Sequence, residues 1–278
     1  MTKKTVLITG CSSGFGKLAA KTFLQNDWNV IATMRSPEKE TELQASDNML
    51  VEKLDVTDQA SIDAAIEQGI KTFGVIDVLV NNAGYGGHAM FEQFDHNHIT
   101  RMFDTNVFGP MRIAQAVLPL MRQQGGGAII NVTSVAGIVG LPFTSTYSAS
   151  KFAVQGWSEG LALEYAPFNV KVHTIAPGAF GTNFNAATDN SFSVGDDEIR
   201  GQAEKMAAHF QGLVEQMLNH SGEQANPQDV AELIYACATK DMPIHNVVGS
   251  DANMLMEMKG SQSPPEFLNT MSEMLIPA

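Results

Sequence analysis

Tyr147 and Lys151 stand four residues apart in the run T-Y-S-A-S-K-F-A-V. On a helix that spacing puts both side chains on one face. Such a pair occurs as an ordinary surface contact, but it can also do chemistry. A free tyrosine hydroxyl titrates near ~10, so poising it near ~7 takes about 3 units, or about 4 kcal/mol. An ammonium ~4 Å away, at an effective dielectric of ~20, supplies about that much. One lysine then suffices to make the phenol an acid or base at neutral pH, if the site excludes some water. Upstream, the apolar run Ala128 to Val132 ends in Thr133-Ser134, which offers a hydroxyl at the end of a strand.

A second chemical feature opens the chain, in T-V-L-I-T-G-C-S-S-G-F-G over residues 5–16. A β-branched apolar run breaks at Gly10, and glycine returns at Gly14 and Gly16 just before a helical pattern. That is a buried strand, a tight turn (Cys11, Ser12, Ser13) and a helix N-terminus carrying Phe15. Free N–H groups and the helix dipole make such a turn an anion site, and glycine lets backbone approach a pyrophosphate closely. The spacing is T-G-x-x-x-G-x-G rather than G-x-G-x-x-G. Its place at the start of an α/β pattern favours a dinucleotide over a plain tight turn.

The elements that must position these residues follow in order. Strands are expected over Thr5 to Thr9, Asn29 to Met34, Met49 to Leu54, Val75 to Val80, Ala128 to Val132 and Val170 to Ala176, with a short last one over Asn246 to Gly249. Helices alternate with them: one after Gly16, one started by Pro37, one N-capped by Thr57, and one over Ile99 to Arg122 that Pro110 could kink. Others cover Thr146 to Tyr165, Asp196 to His220 and Asn226 to Thr239. Strict alternation predicts an α/β fold, a doubly wound parallel sheet of Rossmann type, as a single domain over 1–278. Residues 183–225 read as a helical lid over the substrate, and the Met-rich stretch 250–278 is left unassigned. Ligands of open α/β sheets bind at the carboxyl ends of the strands. There stand the glycine turn, Arg35, Asp55, Asn82, Ser134 and Pro177-Gly178, six features on one edge.

Cofactor choice rests on charge. A carboxylate about 20 positions past the glycine turn would bind the ribose 2′-hydroxyl of NAD. Strand two instead ends in Thr33-Met34-Arg35, with no carboxylate until Glu38. Arg35 would attract a 2′-phosphate, and charge-assisted hydrogen bonds of ~1.5–3 kcal/mol amount to roughly 10- to 150-fold in affinity. Ser13 could add a hydrogen bond. NADP(H) is therefore expected over NAD(H), with Arg35 as a solvated surface residue the plain alternative.

The 278 residues are 44% hydrophobic and carry a formal net charge of −13. Scattered Lys and Arg in an acidic chain argue against nucleic acid, and no apolar run reaches the roughly 20 residues of a membrane span. With only Cys11 and Cys237, no disulfide framework is expected, and a cytoplasmic location is the default. His88, His96 and His98 cluster too loosely for a metal site, and none is expected. His96 and His98 read as surface residues; His88 is a candidate substrate contact. Phe143, Phe180, Phe184 and Phe192 point to an apolar substrate.

T-G-C-S-S-G-F-G (9–16), Asn81-Asn82-Ala83-Gly84, Asn106, Ser134, Tyr147 with Lys151, and Pro177-Gly178 together resemble the short-chain dehydrogenase/reductase family. The match lies in its shorter single-domain branch and covers roughly Thr5 to Thr182. C-S-S-G, A-T-M-R (32–35) and the run Gly137 to Ala153 look like its steroid and retinol dehydrogenase-like subgroup. The resemblance implies hydride exchange between a nicotinamide and a carbonyl or secondary alcohol. Tyr147 would be the general acid/base, and Ser134 would orient and polarise the substrate oxygen. Lys151 would bind the nicotinamide ribose and tune Tyr147, while Asn106 would hold a water in a proton relay. Asn82, Ala83 and Gly84 would support the cofactor edge, Asp55 and Val56 would face the adenine, and Thr182 would meet the carboxamide. It also implies a homodimer or homotetramer through the Ile99–Arg122 and Thr146–Tyr165 helices. The competing readings are an NAD-dependent alcohol dehydrogenase and a non-catalytic NADP-binding regulator.

Overall fold

Seven strands form one sheet in the order β3-β2-β1-β4-β5-β6-β7, all parallel. They are β1 Thr5–Thr9, β2 Asn29–Met34, β3 Met49–Lys53, β4 Val78–Asn81, β5 Gly127–Val132, β6 Val170–Pro177 and β7 His245–Val248. The computed structural model describes residues 3–181, 195–220 and 225–276. Because strand order reverses between β1 and β4, the two loops that leave β1 and β4 diverge and open a crevice at their carboxyl ends.

Alternation along β1 divides the core. Val6 and Ile8 point to one face with Ala19, Ala20 and Phe23 of α1 (Gly14–Gln25) and Val230, Ala231 and Ile234 of α7 (Pro227–Thr239). Leu7 points to the other, with Ile62 and Ile66 of α2 (Gln59–Phe73), Ile113 and Val117 of α4 (Gly109–Gln123), and Leu161 of α5 (Ser145–Tyr165). A strand buried on both sides must be apolar throughout, and β1 is buried at every position.

Several sequence expectations shift locally. Asp58, not Thr57, caps α2, its carboxylate accepting from Ala60 N and Ser61 N. Thr57 instead donates to Asp55, which turns the chain off β3. Pro37 starts only the single 3₁₀ turn Pro37–Lys39. The helix expected over Ile99 to Arg122 is three pieces: α3 (His96–Phe103), a π turn over Asp104–Phe108, and α4. Pro110 is the second residue of α4 and directly follows the π turn on unbroken helical backbone, so the irregularity falls where the proline lacks an N–H to continue the helix. The 250–278 stretch supplies α8 (Ser250–Ser261) and α9 (Pro264–Leu275), which bury Leu255, Phe267, Met271 and Leu275 against Val135 and Val139. Packing beneath the turn after β5 is thus what this Met-rich segment does.

Candidate active site

Ser134 follows β5 in extended conformation and caps a 3₁₀ turn, Val135–Gly137, its Oγ accepting from Ala136 N at 3.1 Å. That turn lies flat on α5: a Cβ on Gly137 would meet the backbone of Lys151 at 3.0 Å. The close approach brings Ser134 beside Tyr147, near enough for its hydroxyl to lower the phenol's pKa. Lys151, one turn further along α5, is 5% exposed, and its Nζ donates to Val132 O at 3.1 Å. That ammonium lies 5.7 Å from the Tyr147 ring centroid. Tyr147 is half-buried, packed against Ala89, Phe94 and Met102.

These environments set the proton chemistry. Burial pushes the Tyr147 hydroxyl up to about 12, opposed by the nearby Ser134 hydroxyl. Burial pushes Lys151 down to about 8. Lysine was expected to carry the phenol down toward neutrality. Here its ammonium is held by Val132 O instead, and loss of water outweighs attraction at both groups. Tyr147 is therefore a neutral phenol at physiological pH.

Asn106 occupies the π turn, where the extra residue in the helix turns its amide inward. Its Oδ1 accepts from Tyr85 N at 3.1 Å, and its Nδ2 donates to Tyr85 O at 2.9 Å and Ser150 Oγ at 3.1 Å. A Cβ on Gly84 would lie 3.1 Å from Asn106 Oδ1 and 3.5 Å from Lys151 Nζ. Gly84 thus separates the two polar atoms, and only glycine leaves that space open.

The glycine turn has the open backbone geometry of an anion site. Gly10 (φ +74°) and Gly14 (φ +56°) take left-handed backbone. A Cβ on Gly16 would fall 2.5 Å from Gly10 O and from Asn82 Nδ2. Ser13 precedes α1 without capping it through its side chain, and the first turn of α1 holds no acidic residue. Ser12 and Ser13 are exposed. The helix N-terminus therefore keeps its N–H groups and positive end for an outside anion. Asn82 braces the turn from β4, donating to Thr9 O at 2.8 Å and Gly10 O at 3.2 Å. Thr9 Oγ1 accepts from both Asn82 N and Ala83 N at 3.0 Å. The shape and donor set fit a dinucleotide pyrophosphate. Cys11 is buried, donates to Ile8 O at 3.3 Å and is pushed up to about 12 by burial, so it is an inert turn residue.

Arg35 is exposed at the end of β2. Beside it, Asp55 feels burial that would raise its pKa. The Thr57 N–H and hydroxyl and the charges of Arg35 and Lys53 outweigh burial and hold it below the usual range. The Val56 side chain is buried beneath Gly109 in the core, which leaves only its backbone for the cleft. Pro177 and Gly178 close β6, and Phe180 meets Phe15 of the glycine turn edge-on at 5.5 Å. Thr182, Phe184 and Phe192 lie outside the described residues, as do 183–194 and 221–224 of the expected lid. Its described helix, α6 (Asp197–His220), reaches α9 through His209 Nε2 and Met274 O at 3.4 Å. His88 is half-buried and stacks on Phe143 at 6.3 Å. His96 is exposed, whereas His98 is half-buried and bonded through Nδ1 to Asp95 at 2.8 Å.

Sequence reasoning singled out Asn82 but missed Thr9, whose hydroxyl serves two loop amides. Its signal was a polar residue closing an otherwise apolar strand.

The family model described as short chain dehydrogenase matches residues 4–191, and the chain belongs to that family. It is 36% identical over 269 residues to the 3-ketodihydrosphingosine reductase of Bacteroides thetaiotaomicron, covering 96% of each chain. A solved short-chain dehydrogenase from Streptomyces avermitilis superposes with a TM-score of 0.78 at 32% identity, over 97% of this chain and 98% of that one. ElxO with NADP bound gives 0.72 at 29% identity, over 91% and 99%. The 3-ketoacyl-(acyl-carrier-protein) reductase from Brucella melitensis complexed with NADH gives 0.72 at 25% identity, over 89% and 98%. The protein is thus an oxidoreductase of this family. Among the described residues, no helix is long and apolar enough to cross a membrane.

Proposed function

We propose that this protein is an NADP(H)-dependent reductase of apolar ketones or aldehydes. The observation that carries the reading is the convergence of Ser134, Tyr147 and a buried Lys151 at the carboxyl edge of β5, with the Lys151 ammonium 5.7 Å from the Tyr147 ring centroid. When bound, the nicotinamide supplies hydride to a carbonyl carbon. Ser134 donates a hydrogen bond to the carbonyl oxygen and fixes its direction. Tyr147, a neutral phenol in this environment, gives that oxygen its proton. Lys151, charged below about pH 8, holds the ribose hydroxyls and stabilises the phenolate left behind. Asn106 and the open space at Gly84 complete a path for a replacement proton toward Lys151.

The glycine turn holds the pyrophosphate, and Arg35 draws a 2′-phosphate at the end of β2. The charge of Arg35 and the NADP named for ElxO support that choice; the NADH named for the Brucella enzyme is the alternative. Phe143 stacked on His88 and the reductase relative support an apolar ketone. Exposed Phe152 and Leu163 on α5, with Phe108 before α4, support a homodimer or homotetramer through these helices.

The test titrates purified protein with NADPH and NADH by fluorescence, then adds a panel of long-chain ketones and aldehydes. Oxidation of NADPH that Tyr147→Phe abolishes supports the reading. NADPH bound without turnover on the panel would return the protein to a binding role.

A further inference from the structure

The backbone that leaves β6 is tied to the C-terminal helices by one carboxylate. Gly178 N donates to Val248 O at 2.9 Å, continuing the sheet for one residue past Pro177. The next amide, Ala179 N, finds no strand and donates to Asp251 Oδ2 at 2.7 Å. Asp251 sits in the first turn of α8, wedged between two glycines. A side chain at Gly178 would collide with its carboxylate. A Cβ on Gly249 (φ +112°) would stand 2.8 Å from its Oδ1 and 3.4 Å from the Phe180 ring. The residue pinned next is Phe180, whose ring lies edge-on to Phe15 in the glycine turn.

An acidic residue in a first helical turn needs no further reason, because the helix dipole favours it. Here, however, both neighbouring glycines are shaped around the carboxylate, and its oxygen is spent on an amide outside the helix. Strand order also places the contact. β2 and β3, with Arg35 and Asp55, lie on the adenine side of the crevice. β5 and β6, with Ser134 and the 178–180 segment, lie on the catalytic side.

We propose that Asp251 is a positioning residue. It latches the β6 exit segment to α8, keeps Phe180 on Phe15, and so shapes the nicotinamide half of the cleft while leaving the adenine half alone. The inference rests on the dinucleotide reading above.

The test compares wild type, Asp251→Ala and Asp251→Asn, with fold checked by circular dichroism. Each is titrated with NADPH and with 2′-phospho-ADP-ribose, which lacks the nicotinamide. In Asp251→Ala, loss of a charge-assisted hydrogen bond should raise the Kd for NADPH about tenfold or more. The Kd for 2′-phospho-ADP-ribose should stay within about twofold, and Asp251→Asn, which keeps an acceptor, should recover much of the NADPH affinity. Unchanged NADPH affinity in Asp251→Ala, or equal weakening of both probes, would overturn the latch while leaving the dinucleotide reading intact. Wild type that binds neither probe would overturn both.

Discussion

Lys151 is suspended from Val132: its ammonium donates to that carbonyl at 3.1 Å, two residues before Ser134 on the same chain segment. The contact ties α5 to β5 through a group that pays for burial with a depressed pKa. A folded-state pKa near 8 against 10.5 means that the unfolded chain holds the extra proton between those values. Stability therefore rises with pH across that window, and the cost of the buried charge is fully present below it. Relative to Lys151→Met, wild type should gain about 2–3 kcal/mol between about pH 7 and pH 10. Urea denaturation of both proteins at the two pH values measures this, and a constant difference would contradict it.

On the proposed mechanism, the Tyr147 hydroxyl and the Lys151 ammonium set the rate profile. Tyr147, held near 12, stays protonated throughout, so its own titration does not limit reduction. Lys151 loses its charge as pH rises through about 8. The kcat/KM for carbonyl reduction should be level at neutral pH and fall above that point, with a slope of one proton. Tyr147→Phe should lower it by about 10²–10⁴ at any pH, with NADPH affinity little changed. A profile level to pH 10 would mean that the lysine charge is not needed.

On the proposed reading, Arg35 carries the cofactor preference. Arg35→Ala should raise the Kd for NADPH by roughly 10- to 150-fold and leave that for NADH nearly as it was. Parallel fluorescence titrations check this. Equal effects on both nucleotides would make Arg35 a surface residue.

The Asn82 side chain braces the turn from β4, beside the backbone bonds of Asn82 and Ala83 to Thr9. Asn82→Ala should cost about 1–3 kcal/mol of stability, since two strand-end carbonyls lose their donor. Gly16→Ala should act on binding more directly, because its Cβ would fall 2.5 Å from Gly10 O. Dinucleotide affinity should drop more than tenfold in Gly16→Ala, read by the same titration and by loss of cofactor-induced thermal stabilisation. Wild-type affinity in Gly16→Ala would show that the turn does not touch the phosphates.

Most strands were legible because burial on both faces forces largely apolar runs, as in Val6 to Ile8 and Val78 to Val80. Tyr147 and Lys151 were legible because helical spacing alone puts them together. The protonation state was not. It depends on how much water the folded chain removes and on where Lys151 Nζ finds a partner, and spacing encodes neither. Pro110 marked an irregularity in this helix, but its form as a π turn was hidden, since His96 to Phe108 are compatible with a regular helix and the extra residue is selected by tertiary bonds from Asn106 to Tyr85 and Ser150. Asp58 displaced Thr57 as a cap because Thr57 was already engaged by Asp55. The C-terminal helices escaped because their apolar residues face the turn after β5, across the whole length of the chain.

The π turn at Asp104–Phe108 also makes chain length a constraint there. Removing one residue, such as Thr105, would take the extra residue out of the π turn, rotate α3 by about 100° about its axis relative to α4, and bring the Pro110 ring against the carbonyl four residues before it. Met102 would swing away from Ala89 and Phe94, and the patch supporting Tyr147 would lose a wall. Exposed Phe108 in the same turn can change identity at little structural cost. This stretch should therefore accept substitutions at its outward positions and reject deletions at every position.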